Sequence, residues 1–145
     1  MLTVKHLFRW KGSDLWTISS LATAFEALQL MAEKNIGALP VVDQGRLVGM
    51  FSERDYARKV ILRGKSSKST LVKELMTTKV YWVKPSRSVE DCMFLMTEKR
   101  IRHLPVMDNQ QLIGIITIGD VVKAMISQQQ STIQDLQNYI TGATY

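Results

Sequence analysis

The 145-residue sequence is poor in the side chains that most sharply constrain chemistry, holding one cysteine, two histidines and three prolines. A single cysteine, Cys92, excludes an intramolecular disulfide and fits a reducing compartment. It lies in the apolar run Cys92-Met93-Phe94-Leu95-Met96, where a small buried hydrophobe is expected rather than a nucleophile. His6 and His103 fall in different elements, and with Cys92 they cannot supply the three or four ligands of a zinc site. No metal is therefore expected. No Ser/His/Asp or Cys/His set can be assembled by spacing, and neither G-x-x-x-x-G-K-[ST] nor G-x-G-x-x-G occurs, so no enzyme is expected. No apolar run approaches the roughly 20 residues needed to span a bilayer. The stretch MLTVKHLFRWKGSD lacks a continuous apolar secretory core, so the expectation is a cytoplasmic protein without membrane association. Net charge is +6, yet no block of five or six like charges exists; nucleotides, nucleic acid and acidic partners all stay open on charge alone.

What the sequence does contain is itself, twice. Residues 34–55, KNIGALPVVDQGRLVGMFSERD, align without a gap on 99–120, KRIRHLPVMDNQQLIGIITIGD, with nine identities in 22 positions, against roughly one or two expected from composition. The constant offset is 65 and extends outward to Met31/Met96, Glu33/Glu98 and Ile18/Val83. Farther upstream, Val4–Phe8 resembles Val72–Met76 at an offset of 68, so the first copy has three extra residues there.

Each copy reads as β-α-β-β-α. A short β-rich segment (Trp16–Ile18; Val80–Val83) precedes a helix whose apolar residues fall at helical spacing: Phe25, Leu28, Met31 and Ala32 in copy one; Val89, Met93 and Met96 in copy two. Ser88 is a candidate N-cap. Two apolar runs around the turn Asp43-Gln44-Gly45 make a hairpin, and a second helix runs from about Glu53 to Leu62, ended by Gly64. The divisions are 1–65 for the first repeat, 66–69 for a Ser/Lys-rich linker, 70–126 for the second repeat and 127–145 for a tail. The tail carries apolar residues at i, i+3 and i+6/i+7 over 131–141 and is expected to be an amphipathic helix, packed on the core or on a second subunit. One copy alone would leave an apolar face wet, so the two are expected to bury those faces on each other.

Both copies end their hairpin on G-h-h-[ST]-x-x-D: Gly49-Met50-Phe51-Ser52-Glu53-Arg54-Asp55 and Gly114-Ile115-Ile116-Thr117-Ile118-Gly119-Asp120. A hydroxyl and an acid three apart can cap a helix. They can also hold a ligand, because a helix N-terminus suits an anion and a carboxylate has several lone-pair sites. Capping alone does not account for the preceding glycine, nor for cations near one motif.

This double motif, with LPVVD and the ordered β-α-β-β-α elements, resembles a cystathionine-β-synthase (CBS) domain; two in tandem resemble the CBS pair, or Bateman module, of the small stand-alone type. The likeness covers about residues 3–126. It implies an α+β fold of two repeats packed face to face with quasi-two-fold symmetry, plus the C-terminal amphipathic helix, and adenosine-containing ligands in the cleft between repeats. AMP stands first among them, with ADP, ATP, NAD(H) and S-adenosylmethionine as the others. The aspartate holds the ribose hydroxyls and the hydroxyl residue contacts phosphate or ribose. Carried over, one site uses Ser52, Arg54, Asp55 and Arg58 with Lys79, Val80, Tyr81, Ile101, Arg102, His103 and Pro105. The other uses Thr117, Gly119 and Asp120 with Lys11, Asp14, Leu15, Trp16, Ile36, Gly37, Ala38 and Pro40. The first gathers the more cations and is expected to be the main phosphate site.

The resulting expectation is a non-enzymatic adenine-nucleotide (energy) sensor that signals to an unknown regulated protein and forms a homodimer, with Tyr56, Val60, Val121, Val122 and Met125 as candidates for the dimer face. The alternative is a basic nucleic-acid-binding module, prompted by the +6 charge and by aromatics beside lysine.

Overall fold

Polar caps set the helix starts of this chain, whose computed structural model describes residues 1–141. Thr23 Oγ1 accepts from Glu26 N at 3.1 Å and Ser88 Oγ from Asp91 N at 3.1 Å, opening α2 (Ala24–Lys34) and α5 (Val89–Lys99). Both helices stop on a left-handed residue, Asn35 (φ 54°) and Arg100 (φ 56°). Next come the hairpins β1/β2 (Ala38–Asp43, Arg46–Ser52) and β3/β4 (His103–Asp108, Gln111–Thr117), each a two-stranded sheet. The turns need φ > 0 at both central residues, as in a type I′ hairpin: Gln44 and Gly45 in one, Asn109 and Gln110 in the other. The remaining helices are α1 (Val4–Lys11), α3 (Glu53–Tyr56), α4 (Val72–Leu75) and α6 (Ile118–Thr141).

The chain divides into two compact units that are not the two sequence repeats. One holds residues 14–82 and 107–114; the other holds 1–13, 83–106 and 115–141. The opening helices have been exchanged. In the first unit α4, from the second repeat, binds residues of the first: Val72 N donates to Ala22 O (2.8 Å), Lys73 N to Ser20 O (2.9 Å) and Ala24 N to Thr70 O (2.9 Å). In the second unit α1 makes the reciprocal set, with Val4 N to Arg87 O (2.9 Å), Lys5 N to Pro85 O (3.0 Å) and Val89 N to Leu2 O (2.9 Å). Each donor and acceptor has its counterpart at the offsets of 65 and 68 found in the sequence.

The cores repeat in the same way. Ala24, Ala27, Met31, Leu39, Val41, Phe51, Val60, Val72 and Leu75 form the core of the first unit. Val89, Cys92, Met96, Leu104, Val106, Ile116, Val4 and Leu7 are their buried counterparts in the second, Val60 excepted. Burial pushes the Cys92 thiol up to about 11, so it serves as a core hydrophobe.

Four details differ from the sequence expectation. The first strand of each copy shrinks to one parallel bridge, Ile18 with Val41 and Val83 with Val106. The α2 core stripe is Ala24, Ala27 and Met31, with Phe25 and Ala32 turned outward; small alanines let the helix lie close on the sheet. The helix after Ser52 makes one α turn and then widens to π geometry over Ala57–Ile61, with Leu62 N bonded to Ala57 O at 3.2 Å. The tail is no separate helix but the continuation of α6, and its apolar residues Ile133, Leu136, Tyr139 and Ile140 are exposed rather than packed on the core. Positions 142–145 of the expected tail lie outside the described residues. Of the dimer-face candidates, Val60 and Val121 are fully buried in their own units and so are not available to a partner.

Candidate functional site

The G-h-h-[ST]-x-x-D motif closes in both copies as a reciprocal cap. Asp55 N donates to Ser52 Oγ (3.2 Å), while Ser52 N and Oγ both donate to Asp55 Oδ2 (3.0 Å each). Asp120 N donates to Thr117 Oγ1 (3.2 Å), and Thr117 N to Asp120 Oδ2 (2.8 Å). Such caps contribute about 1 kcal/mol each and hold the carboxylate at a positive helix end.

Beyond the cap the two carboxylates differ. Asp55 Oδ1 also accepts from Thr77 Oγ1 and Lys59 Nζ, both at 3.2 Å, and its side chain is only 12% exposed. Asp120 is 21% exposed, and among the described residues its hydrogen bonds converge on Oδ2, where Lys11 Nζ arrives at 2.6 Å. Lys11 also donates to Ile115 O at 2.9 Å. Lys59 was foreseeable at helical i+4 spacing. Thr77 was not, since the Met50–Thr77 bridge that brings it to Asp55 leaves no trace in local pattern.

That bridge also explains a glycine. A Cβ on Gly49 would stand 2.7 Å from Met76 Sδ and 3.0 Å from Thr77 O. The bareness of Gly49 thus serves close backbone approach rather than a ligand.

The residue pair before each LPV run lies against its own repeat's motif. Glu53 N donates to Gly37 O (3.0 Å), and Ala38 pairs with Ser52. Correspondingly, Ile118 N donates to Arg102 O (2.9 Å). Arg102 and His103 therefore flank Thr117 and Asp120, where Lys11 also sits, while Ile36, Gly37 and Ala38 lie beside Ser52 and Asp55. The half-buried His103 imidazole is held below its ordinary pKa, first by burial, then by the Arg102 and Lys11 charges, with Asp120 opposing.

The other candidates are placed as follows. Arg54 and Arg58 are exposed on the turns after Ser52. Lys79 lies over the Tyr81 ring (5.8 Å to the centroid), with Val80 half-buried between them. Ile101 is half-buried and Pro105 buried in β3, as Pro40 is in β1. Asp14 and Gly119 are exposed and Leu15 is half-buried. Trp16 is 40% exposed, with Lys34 Nζ 4.0 Å from its ring centroid, so its face is taken by a cation. His6 accepts from Thr3 N through Nδ1 (2.9 Å), a local helix-start contact. Among the described residues no cluster of His, Cys, Asp or Glu suits a metal ion.

Comparison with known proteins gives two successive matches to the CBS domain, over residues 4–62 and 72–127. The CBS domain-containing protein CBSX3, mitochondrial, of Arabidopsis thaliana is 43% identical over 136 residues, covering 90% of this chain and 66% of that protein. A solved protein with CBS domains from Burkholderia ambifaria is 51% identical with a TM-score of 0.84, covering 88% of this chain and 96% of the other. The CBS domain pair of protein MJ0100, solved with 5-methylthioadenosine and S-adenosyl-L-methionine, is 26% identical with a TM-score of 0.75, covering 88% and 98%.

Proposed function

This chain belongs to the CBS domain family as a tandem pair, and on that premise we propose that it is a non-catalytic regulatory module binding an adenosine-containing ligand. AMP is the first choice, with ADP, ATP and NAD(H) behind it. The [ST]-x-x-D carboxylates accept from the ribose hydroxyls, and the phosphate lies against the nearby cations. The observation that carries this reading is the pair of caps that end in a carboxylate with cations at hand: Lys59 by Asp55, and Lys11 and Arg102 by Asp120, where the His103 imidazole also lies. A solved relative with two adenosine compounds supports the ligand class. Asp120, the more exposed acid, is the readier ribose acceptor. Signalling follows if ligand affinity differs between two states of the chain and one of them engages a regulated protein.

The test is calorimetry and thermal shift with AMP, ADP, ATP, NAD⁺, NADH and S-adenosylmethionine. Saturable binding is expected, with stabilisation of about 2.7 kcal/mol at a hundred times Kd. Asp55→Ala and Asp120→Ala should each weaken it roughly ten- to a hundredfold. Unchanged affinity in both variants overturns the reading. Oligonucleotide binding that falls steeply with salt would instead identify a nucleic-acid module.

A further inference from the structure

The later turns of α6 present an apolar seam left exposed among the described residues. Val121 and Ala124 of the same helix are buried. About a quarter-turn or more away, Val122, Ile126, Gln129, Ile133, Leu136 and Ile140 recur at alternating steps of four and three. Ile126, Ile133, Leu136 and Ile140 are 49%, 55%, 57% and 81% exposed. This is a heptad seam, with isoleucine at each a position (126, 133, 140) and Leu136 at d. We propose that it pairs with the same seam of a second copy of this chain as a parallel two-stranded coiled coil.

Three observations select that occupant. Isoleucine at a with leucine at d is the combination that favours parallel two-stranded pairing, with Gln129 the one polar residue among the seam positions named. The flanking positions Gln130, Thr132, Gln137 and Tyr139 are uncharged, so two identical helices meet without like-charge repulsion. From Ser127 to Thr141 Asp135 is the only charged residue, whereas a helix lying on an anionic membrane needs a lysine- or arginine-rich polar face. An isolated stretch of this length is also marginal as a helix in water, and pairing supplies what it lacks. Four of the six seam residues lie past residue 127, where the CBS match ends, and the seam is independent of the nucleotide reading.

The test places single cysteines in the full chain, where the native Cys92 is buried. Under mild oxidation Leu136→Cys, on the seam, should give a disulfide-linked dimer at least about tenfold faster than Ser131→Cys on the opposite side. Adding Ile133→Glu should suppress the Leu136→Cys cross-link by a similar factor, roughly tenfold, while leaving the thermal midpoint of the body unchanged. Equal cross-linking at both positions, no cross-linking at Leu136→Cys, or insensitivity to Ile133→Glu overturns the proposal. Co-sedimentation of the unmodified chain with phosphatidylglycerol vesicles, abolished by Ile133→Glu, would overturn it in favour of a membrane.

Discussion

Lys11 Nζ stands 2.6 Å from Asp120 Oδ2, joining the last residue of α1 to the first turn of α6 across 109 positions of sequence. The pair is partly exposed, with side chains 29% and 21% accessible, so its Coulomb energy is screened and modest. Lys11→Met should cost no more than about 1 kcal/mol in urea unfolding, the difference shrinking with added salt. Asp120→Ala also removes the cap of α6 and should cost about 1–2 kcal/mol.

Gly49→Ala should be costly for so small a change. The new methyl group meets the flexible end of Met76 but also the Thr77 carbonyl at 3.0 Å, and that carbonyl is fixed by its bond from Met50 N at 2.9 Å. A loss of about 1–3 kcal/mol is expected, read as a lower denaturation midpoint at constant m value.

His103 should make stability depend on pH. Its folded pKa lies below the ordinary 6.5 because burial and the Arg102 and Lys11 charges disfavour the imidazolium. Below pH 6.5 the unfolded chain therefore binds more protons than the folded one, and stability falls as pH drops from there toward the folded pKa. Above pH 6.5 this contribution is flat. His103→Gln should remove that part of the slope, measured by thermal unfolding from pH 7.5 to 5.

The exchanged helices predict where the chain can be cut. Leu75 is 1% exposed in the core of the unit built on residues 14–82, so Leu75→Ala should cost about 2–5 kcal/mol. A fragment of residues 1–65, the first sequence repeat, lacks Val72 and Leu75 and should show no cooperative thermal transition. A fragment of residues 14–82, which retains both, should show one by circular dichroism.

Much of this was legible in one dimension. The offset of 65 located both cores, both hairpins and both caps, because Leu39/Leu104, Val41/Val106 and Phe51/Ile116 are inward residues of the same strands. The shift to 68 marked α1 and α4 as a separate piece. Their destination was not legible: the backbone bonds from Val4 to Arg87 and from Val72 to Ala22 are long-range, and periodicity reports only what a residue's neighbours in sequence do. For the same reason the twin capping acids were readable, and the family resemblance already set Lys11 with Asp120, while Thr77 beside Asp55 and the approach of Arg102 and His103 to Asp120 were not. Phe25 misled because its spacing was helical, yet alanines 24 and 27 hold the closer contact.

The reciprocal placement of α1 and α4 bears on how such a chain could arise. A lone ancestral copy would have had a gap where its neighbour's first helix now sits, and a first helix with nowhere of its own to go. Two separate molecules would have satisfied each other by trading that helix, and fusion of the genes would then have joined both halves of the exchange in one polypeptide without altering a contact. On this view the exposed stretch from Leu62 to Ser66 is the scar of that fusion, whereas Thr70, buried and bonded through its carbonyl to Ala24 N, belongs to the joint the fusion preserved.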